Sequence, residues 1–172
     1  MTLLNILTYP NPFLRLPTKP VTDIDDEIRE IIADMAETMY DAPGVGLAAI
    51  QAGIDKSIIV YDPEADDQKR DFQVLINPEI IAAEGSMTSE NEGCLSVPDL
   101  RADVTRSERV TVQGLDINGN PVKIDAEGLL SVIFQHEIDH LNGVLFIDHI
   151  SALKRNMYKK KRIKALKSEQ TV

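Results

Sequence analysis

Apolar residues first recur at helical spacing between Asp25 and Asp41, where Ile28, Ile31, Ile32, Met35 and Met39 share one face. An extended arm punctuated by Pro10, Pro12, Pro17 and Pro20 precedes this helix, Asp23 and Asp25 open it, and Asp41-Ala42-Pro43-Gly44 stops it. The pattern then changes to short apolar runs. Ser57–Tyr61 reads as a strand, 62–71 as a polar surface loop, and Phe72–Ile76 as a second strand ended by Asn77-Pro78. Asn118-Gly119-Asn120-Pro121 sits between two further strand-like runs, Glu108–Asp116 and Val122–Asp125, and predicts a hairpin. From Ala126 to Leu141 the residues Leu129, Leu130, Val132, Ile133 and Phe134 leave no polar stripe, the mark of a helix buried on all sides. Asp125 is its expected N-cap and Asn142-Gly143 its stop. A last helix is expected over 151–167, with Leu153, Met157 and Leu166 facing inward and 168–172 frayed. Without repeats or a long linker, 1–172 reads as one α+β domain.

Composition narrows the class. Apolar residues at 43% and charged residues at 27% suit a globular chain rather than a disordered or membrane-embedded one. The longest apolar runs, such as Val144–Ile147, are far too short for a bilayer. Met1–Leu7 has no Lys or Arg, and Pro10 and Pro12 break the apolar run soon after, so no signal peptide is expected. One cysteine cannot form an internal disulfide, which points to a reducing cytoplasm. The net charge of −10 hides a division: residues 1–152 hold 10 Lys and Arg against 27 Asp and Glu, whereas 153–172 hold eight against one. An acidic body of net −17 argues against DNA as a partner, while a tail of net +7 can meet phosphates locally or serve as a solvated helical face.

The chemistry gathers on the buried helix. His136-Glu137-Ile138-Asp139-His140 fits H-E-x-x-H, which stacks two imidazoles four residues apart on one face, within reach of one cation. Glu137, rotated off that line, is placed to take a proton from water bound there. A catalytic site of this kind needs a third protein ligand and an open position. Downstream, the position where some zinc peptidases carry a third His holds Phe146, the only Glu is Glu169, and Asp148 and His149 remain as candidates. Upstream, Cys94 is the better one, in the turn-like Glu92-Gly93-Cys94-Leu95-Ser96. A third segment, Gly44-Val45-Gly46-Leu47-Ala48-Ala49-Ile50-Gln51, offers small residues for close backbone approach and one side-chain amide donor.

Together these three segments resemble peptide deformylase, a family that carries GΦGΦAAxQ, EGCΦS and HEΦDH in this order, with Φ apolar; they match Gly44–Gln51, Glu92–Ser96 and His136–His140. The resemblance implies antiparallel β-sheets packed around a buried central helix carrying H-E-x-x-H, plus an N-terminal and a C-terminal helix. It implies Cys94, His136 and His140 as ligands of one divalent metal, Fe(II) in the cell, with Ni(II), Co(II) or Zn(II) able to substitute. The implied reaction removes the N-formyl group from the formyl-methionine that begins nascent polypeptides and releases formate. Metal-activated hydroxide would attack the formyl carbon with Glu137 as general base and acid, while the Gln51 amide and the Leu95 backbone N–H hold the oxyanion. Val45, Leu129, Val132 and Ile133 would line the methionine pocket, Gly46 would pair with the peptide backbone, and Glu92 would orient Gln51 or a nearby Arg. The polar Ser89-Glu90-Asn91 is expected near that pocket. A thiolate on Fe(II) also implies oxygen-sensitive activity. The basic C-terminal helix of bacterial members docks on the ribosome near the exit tunnel, so the ribosome is the implied partner of 151–167. Two other readings stand beside this one: an H-E-x-x-H endopeptidase, and a non-catalytic ribosome-associated module with a closed structural metal.

Overall fold

The computed structural model describes residues 2–64 and 69–171. Helix α1 (Asp26–Asp41) begins where the Asp25 carboxylate accepts the Ile28 N–H at 2.9 Å, and it buries Ile28, Ile32, Met35 and Met39. Seven strands follow: β1 (Gly46–Ala48), β2 (Ile58–Tyr61), β3 (Gln73–Glu84), β4 (Met87–Cys94), β5 (Val97–Arg106), β6 (Arg109–Leu115) and β7 (Pro121–Glu127). Helix α2 spans Gly128–Leu141 and helix α3 Ala152–Glu169. Among the described residues no helix is long and apolar enough to cross a membrane.

Five strands form one antiparallel sheet in the order β1-β2-β3-β6-β7, and β4 pairs with β5 as a separate antiparallel hairpin. The period of two along a strand decides how helices flank the large sheet. Ile58 and Val60 join the cluster of α1 residues, whereas Ile59 and Tyr61 join Ile133, Phe134, Ile138 and Leu141 of α2. Strand β2 is therefore apolar throughout because helices cover both of its faces. Phe134 is fully buried and meets the Tyr61 ring edge-on, with centroids 4.9 Å apart. A third cluster ties β5 (Val97, Val104) to Leu14 of the arm, to Leu145–Ile147 after α2, and to Tyr158 of α3.

Several expectations need correction. Asn77-Pro78 does not end the second strand: β3 continues to Glu84. Asn77 takes a φ of +51° and the register shifts between Ile76 and Glu79, so the proline falls in a bulge rather than in the ladder. The Asn77 side chain also bonds the backbone N–H and C=O of Val21, fastening the arm. Asp125 is not a helix cap; it lies in β7, where its carboxylate accepts the Thr111 hydroxyl at 2.7 Å, and α2 starts three residues later. The loop after β2 is not wholly a surface one. Asp62 is buried, accepting the Tyr40 hydroxyl and the backbone N–H groups of Glu64 and Asp71, while 65–68 lie outside the described residues. No strand is expected over 87–106, yet β4 and β5 lie there. On α3 the inward residue is Tyr158, not Leu153 or Met157, which are 71% and 63% exposed, and the helix extends beyond Lys167 to Glu169.

The expected stop at Asn142-Gly143 holds. Gly143 has a φ of +74° and lies so close to the Arg15 backbone that a Cβ would collide with its carbonyl. Gly128, at the other end of α2, has a φ of +60°, but a Cβ there would meet nothing within 4 Å. Left-handed backbone alone costs a non-glycine residue about 1–2 kcal/mol. Urea denaturation should therefore show Gly128→Ala losing about that much, and Gly143→Ala clearly more because backbone must move as well.

Candidate metal centre

Residues from three segments converge beside α2. The i, i+4 spacing stacks His136 and His140 on one face, with ring centroids 5.0 Å apart, and the turn joining β4 to β5 brings Cys94 alongside. Cys94 Sγ is 3.2 Å from His140 Nε2, and one donor atom from each of the three residues lies within 4.8 Å of the others. Tetrahedral bonds of zinc-like length separate ligand atoms by about 3.6 Å, so the three fit a single ion. Burial and the neighbouring His136 hold the His140 ring well below the usual histidine range, in its neutral, ligating form. Burial opposes charge on His136 too, but the Cys94 sulfur and Glu92 outweigh it and raise its pKa well above the ordinary value. Such a raised imidazole marks a site of negative potential, where a cation is favoured.

The surrounding contacts orient each donor. Glu92, buried on β4, lies 2.8 Å from His136 Nδ1, which leaves Nε2 of that ring for a metal. The same carboxylate accepts two bonds from the buried Arg106 guanidinium, at 2.5 and 3.2 Å, and Arg106 also donates to Asp139 at 2.8 Å. Asp139 in turn is 2.8 Å from Nε2 of His149. Burial alone would raise the Glu92 pKa, but the bonds from His136 and Arg106 hold it down at about 2. Glu92 thus orients His136 and Arg106 rather than Gln51, whose amide is fixed elsewhere. Gln51 Oε1 accepts the Ala48 N–H at 2.9 Å, and Nε2 donates to Ser96 Oγ at 3.1 Å and towards Cys94 Sγ at 3.7 Å. The Ser96 N–H also points at that sulfur, at 3.4 Å.

Glu137 is buried next to this trio. Its Oε2 has no hydrogen-bond partner among the described residues, and neither does Nδ1 of His140. Burial, partly offset by His136, pushes the Glu137 pKa up to about 7. Gly46 admits the carboxylate, since a Cβ there would stand 2.6 Å from Oε1. The other downstream candidates are engaged elsewhere: Asp148 pairs with Arg15 at 2.5 Å and His149 with Asp139. Phe146 packs its ring against His136, with centroids 6.2 Å apart.

Cys94, His136 and Glu137 face a cavity of about 490 Å³, which Val45, Gly46, Gln51, Glu92, Leu95, Leu129, Val132 and Ile133 also line. Val45 and Leu129, in its lining, leave 40% and 54% of their surface exposed. Pro98–Arg101 of β5 line the cavity as well, beside the expected Ser89-Glu90-Asn91, and no motif in the sequence points to them. The signal for them was the alternation of inward and outward positions from Pro98 to Arg106, with Leu100, Ala102 and Val104 among the inward ones.

The described geometry matches known proteins closely. Residues 3–156 match the family model described as polypeptide deformylase. A peptide deformylase of Desulfosudis oleivorans is 50% identical over 167 residues, covering 97% of this chain and 96% of the relative. The crystal structure of a peptide deformylase from Legionella pneumophila superposes with a TM-score of 0.89 at 44% identity, over 97% of this chain and 98% of that one. One from Synechococcus elongatus, in complex with actinonin, gives 0.87 at 45% identity over 92% and 87%.

Because Glu92 titrates at about 2 when folded against 4.5 ordinarily, its contribution to stability is complete above pH 4.5 and fades as the pH falls towards 2. In metal-stripped protein, Glu92→Gln should be less stable than wild type near neutrality. Urea titrations at successive pH values should show that gap closing between pH 4.5 and 2.

Proposed function

The chain belongs to the polypeptide deformylase family of hydrolases, and from that premise we propose that it removes the N-formyl group from formyl-methionine at the start of nascent polypeptides, releasing formate. The observation that carries this reading is the Cys94–His136–His140 donor set, beside a cavity lined in part by Val45, Leu129, Val132 and Ile133, with an unpartnered buried carboxylate next to it. Those three residues would hold one divalent ion; Fe(II) is the proposed occupant, with Ni(II), Co(II) or Zn(II) able to replace it. When bound, such an ion supplies Lewis acidity, acidifying water and polarising the formyl carbonyl.

The remaining work falls to side chains and backbone. Glu137 takes the proton of the attacking water on its free Oε2 and returns it to the departing amine. A carboxylate with a pKa close to 7 is suited to both halves of that transfer. The Gln51 amide, held by Ala48 and Ser96, gives the N–H otherwise aimed at Cys94 Sγ to the developing oxyanion, and the Leu95 backbone N–H donates to it as well. Val45, Leu129, Val132 and Ile133 receive the methionine side chain, and Gly46 pairs with the substrate backbone as an added strand. A formyl carbon bears only hydrogen, so a cramped site accepts it and rejects an acetyl group.

Formate release from formyl-Met-Ala-Ser, by protein prepared anaerobically with Fe(II), tests this. Wild type should turn over. Glu137→Ala should retain metal with activity reduced at least a thousandfold, and Gly46→Ala, which intrudes on the Glu137 carboxylate, should fall well below wild type. Absence of formate from correctly metallated wild type would overturn the proposal.

We further propose that the protein works in the cytoplasm and meets the ribosome through α3, whose Lys side chains are all exposed. Reversing the charge of Lys159, Lys160, Lys161 and Lys164 should weaken ribosome binding at least tenfold and leave tripeptide hydrolysis unchanged. Equal affinity in a salt-controlled sedimentation assay would remove this partner.

A further inference from the structure

Helix α3 has a single buried residue, Tyr158, yet it is fastened to the segment that shapes the centre once directly and once through the N-terminal arm. The Tyr158 hydroxyl donates to the Pro98 carbonyl at 2.9 Å. One turn further on, Arg162 donates to the Tyr9 carbonyl and to Thr8 Oγ1, both at 3.0 Å. Tyr9 in turn donates its N–H to the Ser96 carbonyl at 2.7 Å and lays its ring against that of Tyr158, with centroids 5.9 Å apart. Helix and arm therefore grip the chain on both sides of Val97, two residues past Leu95.

The carbonyl held by Tyr158 belongs to the peptide plane between Pro98 and Asp99. Asp99 has a φ of +63°, in the left-handed region that side chains enter at a cost. Such a conformation persists only where neighbours over-determine it, and the Tyr158 hydroxyl fixes one of the two planes that define it. Pro98, Asp99 and Leu100 line the same cavity as Val45 and Leu129. Burial pushes the Tyr158 pKa up to about 12, so the hydroxyl stays a donor across the working pH range.

We infer that Tyr158 is a positioning residue for substrate binding: by clamping the Pro98 carbonyl it holds the 98–100 wall in the shape that receives the peptide. This rests on the proposed deformylation only for the identity of the peptide.

Tyr158→Phe keeps the buried ring and deletes only the donor. With Fe(II) loaded, its KM for formyl-Met-Ala-Ser should rise about three- to tenfold, the range of one lost hydrogen bond, with kcat within twofold of wild type. Amide exchange at 98–101 should quicken while exchange in α2 stays the same. Adding Asp99→Gly, which occupies positive φ freely, should narrow the difference in KM that Tyr158→Phe produces. An unchanged KM, or a change confined to kcat, overturns the inference. If wild type fails to hydrolyse the peptide, the proposed function falls, and exchange at 98–101 still decides: faster in Tyr158→Phe supports the clamp, and equal rates overturn it.

Discussion

A buried imidazole on a largely apolar helix is costly unless it is paired, and Arg106 is the residue that keeps the partner of His136 charged. Its guanidinium reaches the centre from the end of β5 and binds Glu92 through two bonds and Asp139 through one. Glu92 consequently stays ionised in the interior and can fix the orientation of His136. Without that cation, a buried Glu92 would favour its neutral form, and the negative potential that suits the centre to a metal would fall. The centre depends on an ion pair that touches none of its reacting atoms.

The site also lies where the three apolar clusters meet. Cys94 packs with the arm and α3, Leu95 with α1 and the first strands, and α2 with the opposite face of the sheet. Each cluster positions one of the neighbouring groups, so the turn from Cys94 to Ser96 is held from three sides. Shape is imposed there by packing around the turn rather than by the short turn sequence itself.

Legibility in the sequence followed the same physics. Helix α1, the hairpin of β6 and β7, and α2 with its Cys and His partners were readable because each rests on a local period or a fixed spacing. The β4–β5 hairpin was not, because its inward row ends in Arg106 and passes through Pro98, residues that read as surface or as strand breakers. Its backbone carries positive φ at Asn91 and Asp99, which no hydrophobic pattern announces. Glu92 could be picked out beside the Cys motif, but its partner Arg106 is fourteen residues away on the paired strand, where it stands opposite Met87 in the register and reaches Glu92 by the length of its side chain. Asn77-Pro78 misled for a related reason: a bulge lets a strand continue through a residue pair that ordinarily ends one.

The division of charge, −17 over residues 1–152 against +7 over 153–172, gives the molecule a large permanent electric dipole whose positive pole is α3. In the field of any polyanion it feels a torque before it feels contact, over a screening length of about 8 Å in physiological salt. It turns helix first. Because α3 is bonded to the wall of the cavity at Pro98, that turn also presents the cavity at a set angle, so that part of the search for a productive orientation is completed in solution.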